Sequence, residues 1–180
     1  MRAATEFIAI LSLAAGAAAQ NGQTMQPPIE VNRHPVKLTG QPPATVAAQS
    51  PWLQKDVRAR LDALIPDART KGSAGATLVD YGSCKVQLSV RAQSGGAEVH
   101  AHWDDVMIVE AGSATLVTGG RVVAGTTDAD GETHGSKIEG GQTLALNAGD
   151  TVTIRAGTPH QILLSPGTIY EALVIKVHEP

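Results

Sequence analysis

The chain has 180 residues, room for one domain and hardly for two, and its 42% hydrophobic and 17% charged content is ordinary globular composition rather than disorder. The formal charge of −3 and the lack of any lysine/arginine run argue against nucleic acid or an anionic membrane surface as a partner. Aromatic residues make up only 3%, so Val, Ile, Leu and Ala must fill the core.

At the N-terminus Arg2 precedes the apolar run Phe7-Ile8-Ala9-Ile10-Leu11-Ser12-Leu13-Ala14-Ala15, and Ala17-Ala18-Ala19 precedes Gln20. A short apolar stretch ending in small residues reads as a secretory signal peptide over residues 1–19, too short to span a bilayer comfortably. The expected location is secreted or periplasmic, with no membrane span after processing. Cleavage would remove Arg2 and Glu6 together, leaving the net charge at −3. Cys84 is the single cysteine, so no internal disulfide can form.

Residues 20–48 carry Pro27-Pro28, Pro35 and Pro42-Pro43 among Gln, Asn and Thr, the composition of a linker or extended arm. Residues 49–72 form a helical extension: Ser50-Pro51 is a helix start, and Leu53, Val57, Leu61, Leu64 and Ile65 follow at helical spacing. Pro66 and Gly72 are expected to close it. A single amphipathic helix cannot stand alone, so its stripe must cover a sheet or meet a second subunit.

From residue 73 to the C-terminus the period changes to two. Val86, Leu88 and Val90 alternate with polar neighbours, and further short apolar runs lie at 106–109, 114–117, 143–146, 152–154, 162–164 and 172–177. Gly95-Gly96, Gly119-Gly120, Gly140-Gly141, Asn147-Ala148-Gly149-Asp150 and Pro166-Gly167 separate them. Many short strands punctuated by turns indicate a sandwich or barrel rather than an α/β fold.

Three of the six histidines stand where a metal site can be built. His100 and His102 are two apart on an expected strand and so share one face, where two imidazoles can bind one divalent ion. Asp104-Asp105 follows, and a carboxylate would complete a mixed nitrogen/oxygen set. His160 comes far downstream, just after the turn Gly157-Thr158-Pro159. On a continuous extended strand Asp104 shares the side of His102, so a bend or bulge after His102 is needed to turn Asp105 inward. His134 lies in the polar, Gly-rich stretch 128–141 and is expected in solvent; His34 and His178 need no special role.

The segment from His100 to Gly112 resembles the first motif of the cupin family: His-x-His, an acidic residue, six residues, then a glycine. The segment from Gly149 to His160 resembles the second motif, with its opening glycine, turn glycine and third histidine in register. The resemblance covers about residues 75–177. It implies a single jelly-roll-type antiparallel β-barrel, all-β apart from the N-terminal amphipathic helix. It also implies one divalent metal ion per chain (Zn, Mn, Fe, Ni or Cu) held by His100, His102, Asp105 and His160. The chain departs from the family pattern in three places. Asp105 replaces a glutamate and follows His102 after only two residues, Arg155 stands where a proline is usual, and Leu164 where an asparagine is usual.

With Asp105 inward, Met107 and Val109 would line the cavity while apolar Val106 and Ile108 point outward and need cover. The helix stripe or a partner subunit would supply it, and a homodimer is expected. Open metal positions suggest an enzyme acting on a small oxygenated substrate by oxidation, isomerisation or elimination. The alternative is a small-molecule or sugar binder whose metal anchors ligand or stiffens the barrel. Trp103, Met107, Gln161 and Tyr170 are candidate cavity or rim residues. No catalytic residue can be assigned.

Overall fold

The computed structural model describes residues 52–179; the expected signal peptide, the linker over 20–48 and the Ser50-Pro51 helix start lie outside them. Helix α1 (Gln54–Lys71) buries Val57, Leu61 and Ala68, with Leu64 and Ile65 packed beside them, along the stripe expected from the spacing. Leu53 occupies the N-cap and is exposed, so the stripe begins at Val57.

The helix does not close at Pro66. Proline removes one backbone donor, but Pro66 sits on the exposed side, where water can serve the carbonyl left unpaired. Closure comes at Gly72, whose φ of 91° lets its N–H donate to the Ala68 carbonyl at 2.8 Å.

Thirteen strands follow among the described residues: β1 (Ser73–Asp80), β2 (Cys84–Arg91), β3 (Ala97–His100), β4 (Trp103–Ala111), β5 (Ser113–Thr118), β6 (Arg121–Val123), β7 (Thr126–Thr127), β8 (Glu132–Gly135), β9 (Lys137–Glu139), β10 (Gln142–Asn147), β11 (Thr151–Ile154), β12 (His160–Leu163) and β13 (Tyr170–His178). All pairings are antiparallel. One sheet runs β1-β2-β13-β4-β11, a second runs β10-β5-β12-β3-β8-β7, and β6-β9 form a small ribbon. The stretch 128–141, polar and rich in glycine, thus contributes two short strands, with His134 exposed on β8.

The two large sheets pack face to face as a jelly roll. Met107, Val109, Ile154, Ala172 and Val174 of the first sheet meet Ala114, Leu116, Leu146 and Ile162 of the second. Helix α1 lies on the other face of the first sheet, where Val57 and Leu61 pack with Leu88, Val90 and Leu173. Each such side chain taken fully out of water stabilises the fold by about 1.5–3 kcal/mol. Val106 and Ile108 are half-buried on that same outer face, in register with Ile175 and Leu173 but outside the cluster the helix covers.

Two turns bear on the site. Gly112 links β4 to β5 at φ 77°, and a Cβ there would come within 2.0 Å of the Ile169 carbonyl oxygen, so only glycine fits. Gly157, at φ 75°, donates its N–H to the His100 carbonyl at 2.8 Å and ties the turn before His160 to the end of β3. No helix among the described residues is long and apolar enough to cross a membrane.

Candidate metal centre

Strand β3 ends at His100; Ala101 and His102 form a bend, and β4 begins at Trp103. This bend decides which side chains meet. Two residues before His100 on the same strand, Glu98 shares its face, and Glu98 is also the register partner of His160 on β12. One oxygen or nitrogen from each of Glu98, His100 and His160 lies within 4.8 Å of the others. Glu98 Oε2 stands 3.9 Å from His160 Nε2 and 4.0 Å from His100 Nε2, and the two imidazole centroids are 5.0 Å apart.

Both rings present Nε2 to this point because their other nitrogens are engaged elsewhere. His160 Nδ1 donates to the Thr158 carbonyl at 3.1 Å, and His100 Nδ1 donates to the Glu132 carboxylate. Glu132 is itself held by a turn in which Asp128 Oδ1 accepts the backbone N–H groups of Asp130 and Glu132, each at 2.9 Å.

Asp105 is buried and faces inward, 3.4 Å from His100 Nε2 through Oδ2 and 2.7 Å from Lys176 Nζ through Oδ1. The bend that turns it inward lies at Ala101–His102. Asp104 consequently points the other way and accepts from the Ala156 N–H at 2.7 Å and from Arg155 at 3.2 Å. His102 is exposed at the bend, its ring stacked on that of His178 with centroids 6.0 Å apart, and it stands outside the Glu98–His100–His160 group.

The electrostatics follow from burial and these partners. Burial opposes a charge on His100, but its hydrogen bonds to Asp105 and Glu132 outweigh that and raise its pKa above 6.5. Burial pushes His160 below 6.5, and the neighbouring His100 pushes the same way. Burial alone would raise Asp105; the hydrogen bonds and charges of His100 and Lys176 win and hold it below the ordinary carboxylate value.

A cavity of about 440 Å³ opens on the group, with Glu98, His100, Asp105, His160 and Lys176 at its polar end and Met107, Ile162, Ala172 and Val174 among its apolar walls. Gln161 and Tyr170 also line it, and burial pushes the Tyr170 hydroxyl up to about 12. A second cavity of about 640 Å³ lies outside, bounded by Trp103, His102, His178 and Glu132.

Two imidazoles and a carboxylate converging on one point form a donor set that suits a divalent transition metal. Metal–nitrogen and metal–oxygen bonds of about 2.0–2.2 Å require the three donors to draw in by roughly 1 Å, within reach of side-chain rotation. The residues present therefore fit a metal, with Glu98, His100 and His160 as the triad and Asp105 beside them. Period two, counted back from His100, carries the signal for Glu98.

No protein-family model and no curated protein matches this chain. Solved structures do. The DMSP lyase DddQ from Ruegeria pomeroyi DSS-3 is 17% identical, covering 60% of this chain and 48% of its own, with a TM-score of 0.44. The Cnp3 cupin domain of Schizosaccharomyces pombe is 7% identical, covering 61% and 66%, with a TM-score of 0.46. A predicted oxalate decarboxylase from Thermotoga maritima is 14% identical, covering 59% and 81%, with a TM-score of 0.45. This chain spans about half the length of the lyase and two thirds of the Cnp3 domain.

Proposed function

We propose that this jelly roll of cupin type is an exported, metal-dependent enzyme that acts on a small oxygenated substrate by oxidation, isomerisation or elimination. The convergence of Glu98, His100 and His160 at the polar end of a cavity carries the reading. A divalent ion held there would polarise a bound oxygen or, if redox-active, give access to dioxygen. The protein side chains would hold the ion and shape the apolar wall that keeps water from the substrate.

The proposed ligands are His100, His160 and the carboxylates of Glu98 and Asp105. His102, which the motif resemblance also puts forward, joins the set only if the bend at residues 101–102 turns its ring inward. Export to a periplasmic or extracellular space is part of the proposal, as is pairing of two chains over the outer face that carries Val106 and Ile108.

A second reading rests on the Lys176–Asp105 pair. With Asp105 already neutralised at 2.7 Å by Lys176, the cavity would bind a small molecule or sugar without turning it over, the metal only anchoring the ligand or stiffening the barrel. Elemental analysis of protein purified from its native compartment tests the common ground: about one equivalent of metal per chain is expected, and its absence overturns both readings. Oxygen uptake or product formation by loaded protein, lost in His100→Ala, supports the enzyme. Ligand-induced thermal stabilisation without turnover across a broad panel supports the binder.

A further inference from the structure

We propose that Lys176 is the substrate-anchoring residue of this cavity and that its ligand is a small monocarboxylate. The proposal rests on the metal reading above and adds to it the chemical class of the substrate.

Lys176 sits on β13 with its side chain inward, in register with Asp105 on β4. Together with His100 and Gln87 it lines both the inner and the outer cavity, so any molecule passing between them meets it. Its side chain is 18% exposed against 5% for Asp105, so the reachable end of the pair is the ammonium. Asp105 takes one of the three N–H groups, leaving two for a ligand. Because one Asp105 oxygen touches Lys176 and the other faces His100 Nε2 at 3.4 Å, the ammonium lies a single carboxylate's width from the metal donors.

Two other polar side chains of the inner cavity are already engaged. The Gln161 amide donates to the Gly95 carbonyl at 2.8 Å and accepts from the Ile138 N–H at 3.3 Å. Arg91 stands 3.7 Å from Glu98.

Charge selects the sign of the ligand. Across the two cavities Lys85, Arg91 and Lys176 face Glu98, Asp105, Asp130 and Glu132, three positive charges against four negative, for a balance of −1. A divalent ion reverses this to +1. The inner cavity by itself sets Arg91 and Lys176 against Glu98 and Asp105, so a divalent ion leaves it positive as well and favours an anion. A carboxylate on Lys176, with a neighbouring oxygen turned toward the Nε2 atoms, satisfies both groups at once.

The test uses the full chain loaded with zinc and isothermal titration with acetate, lactate, pyruvate and crotonate, each beside its uncharged amide. A charge-assisted hydrogen bond predicts that at least one acid binds about 10- to 100-fold more tightly than its amide. Lys176→Met should erase that preference while zinc is retained, and Lys176→Arg should restore most of it even if the Met variant is poorly folded. Equal affinity for acids and amides, no binding of any acid, or a preference that survives in Lys176→Met overturns the proposal. Zinc content of the same samples separates the two levels. Protein that takes up no zinc refutes the metal reading, whereas loaded protein without the acid preference refutes the role of Lys176.

Discussion

Glu98 on β3 stands directly across the antiparallel ladder from His160 on β12, with 3.9 Å between Oε2 and Nε2. The pairing is set by backbone register, so the carboxylate and the imidazole meet without any loop having to place them. If this pair and His100 hold the ion, Glu98→Gln, His100→Ala and His160→Ala should each weaken zinc or manganese binding by at least about 100-fold, the upper end of what even outer partners contribute. His102→Ala should change it less than about threefold, because that ring lies against His178. Competition titration with a chromogenic chelator measures all four, and a large loss in His102→Ala would bring the bend residue into the ligand set.

Glu132 touches no donor nitrogen directed at the ion, yet it holds His100 by Nδ1. A carboxylate there fixes the tautomer, aims Nε2 inward and makes it a better donor. Glu132→Gln keeps shape and loses charge, so affinity should fall by about 10- to 100-fold while the global fold is preserved. The same chelator titration, beside a denaturant melt of the metal-free protein, separates positioning from stability. Unchanged affinity would leave Glu132 a surface acceptor only.

Metal uptake should depend on pH through His100. Its raised pKa holds the second ring proton of the metal-free protein to a higher pH than an ordinary imidazole would, and where that proton is present it must leave before Nε2 can bind. Below the folded pKa, affinity should therefore rise about tenfold per pH unit, flattening above it. The histidines oppose one another in the metal-free protein. Stability from His100 is complete below 6.5 and lost as pH rises through its folded value, whereas the depressed His160 costs stability as pH falls from 6.5 toward its folded value. Thermal unfolding with and without zinc should show a larger metal-induced increase in melting temperature at pH 8 than at pH 5.5. A pH-independent increment would mean that His100 gives up no proton on binding.

Much of this architecture is legible in the sequence because strand alternation and turn chemistry are local. Leu88 and Val90 mark a covered face, and Gly112 sits where no Cβ fits. His160 is found because a motif, rather than spacing, ties it to His100. Glu98 is missed for a physical reason. Alternation continues unbroken through His100, Ala101 and His102, so the pattern hides the bend that ends β3, and the pair Glu98/His100 competes with His100/His102 on equal terms. Lys176 is hidden differently: both faces of β13 are apolar, since Leu173 packs with the cluster beneath the helix while Ala172 and Val174 pack between the sheets, and period two disappears where both faces are covered. Pro66 misleads as a helix stop because the cost of the lost donor depends on whether water reaches the carbonyl, which no sequence window contains.

The helix itself is fastened by a pair remote from the metal centre. Arg58 of α1 reaches the buried carboxylate of Glu171 on β13 and also Asp62 one turn on, at 2.9 Å. The two ends of this pair are not equivalent. Arg58→Ala strands a carboxylate whose side chain is 7% exposed, and removing one partner of a buried pair costs about 3–5 kcal/mol. Here the low end applies, since the Arg58 side chain is 31% exposed and water partly screens it. Glu171→Gln leaves the guanidinium its bond to Asp62 and a neutral amide in the buried position, so its cost should be smaller. Urea unfolding of the metal-free variants should therefore rank Arg58→Ala as more destabilising than Glu171→Gln, with metal affinity unchanged in both because the pair lies on the helix side of the sheet. The reverse ranking would show that the buried carboxylate finds water, or another donor, once Arg58 is gone.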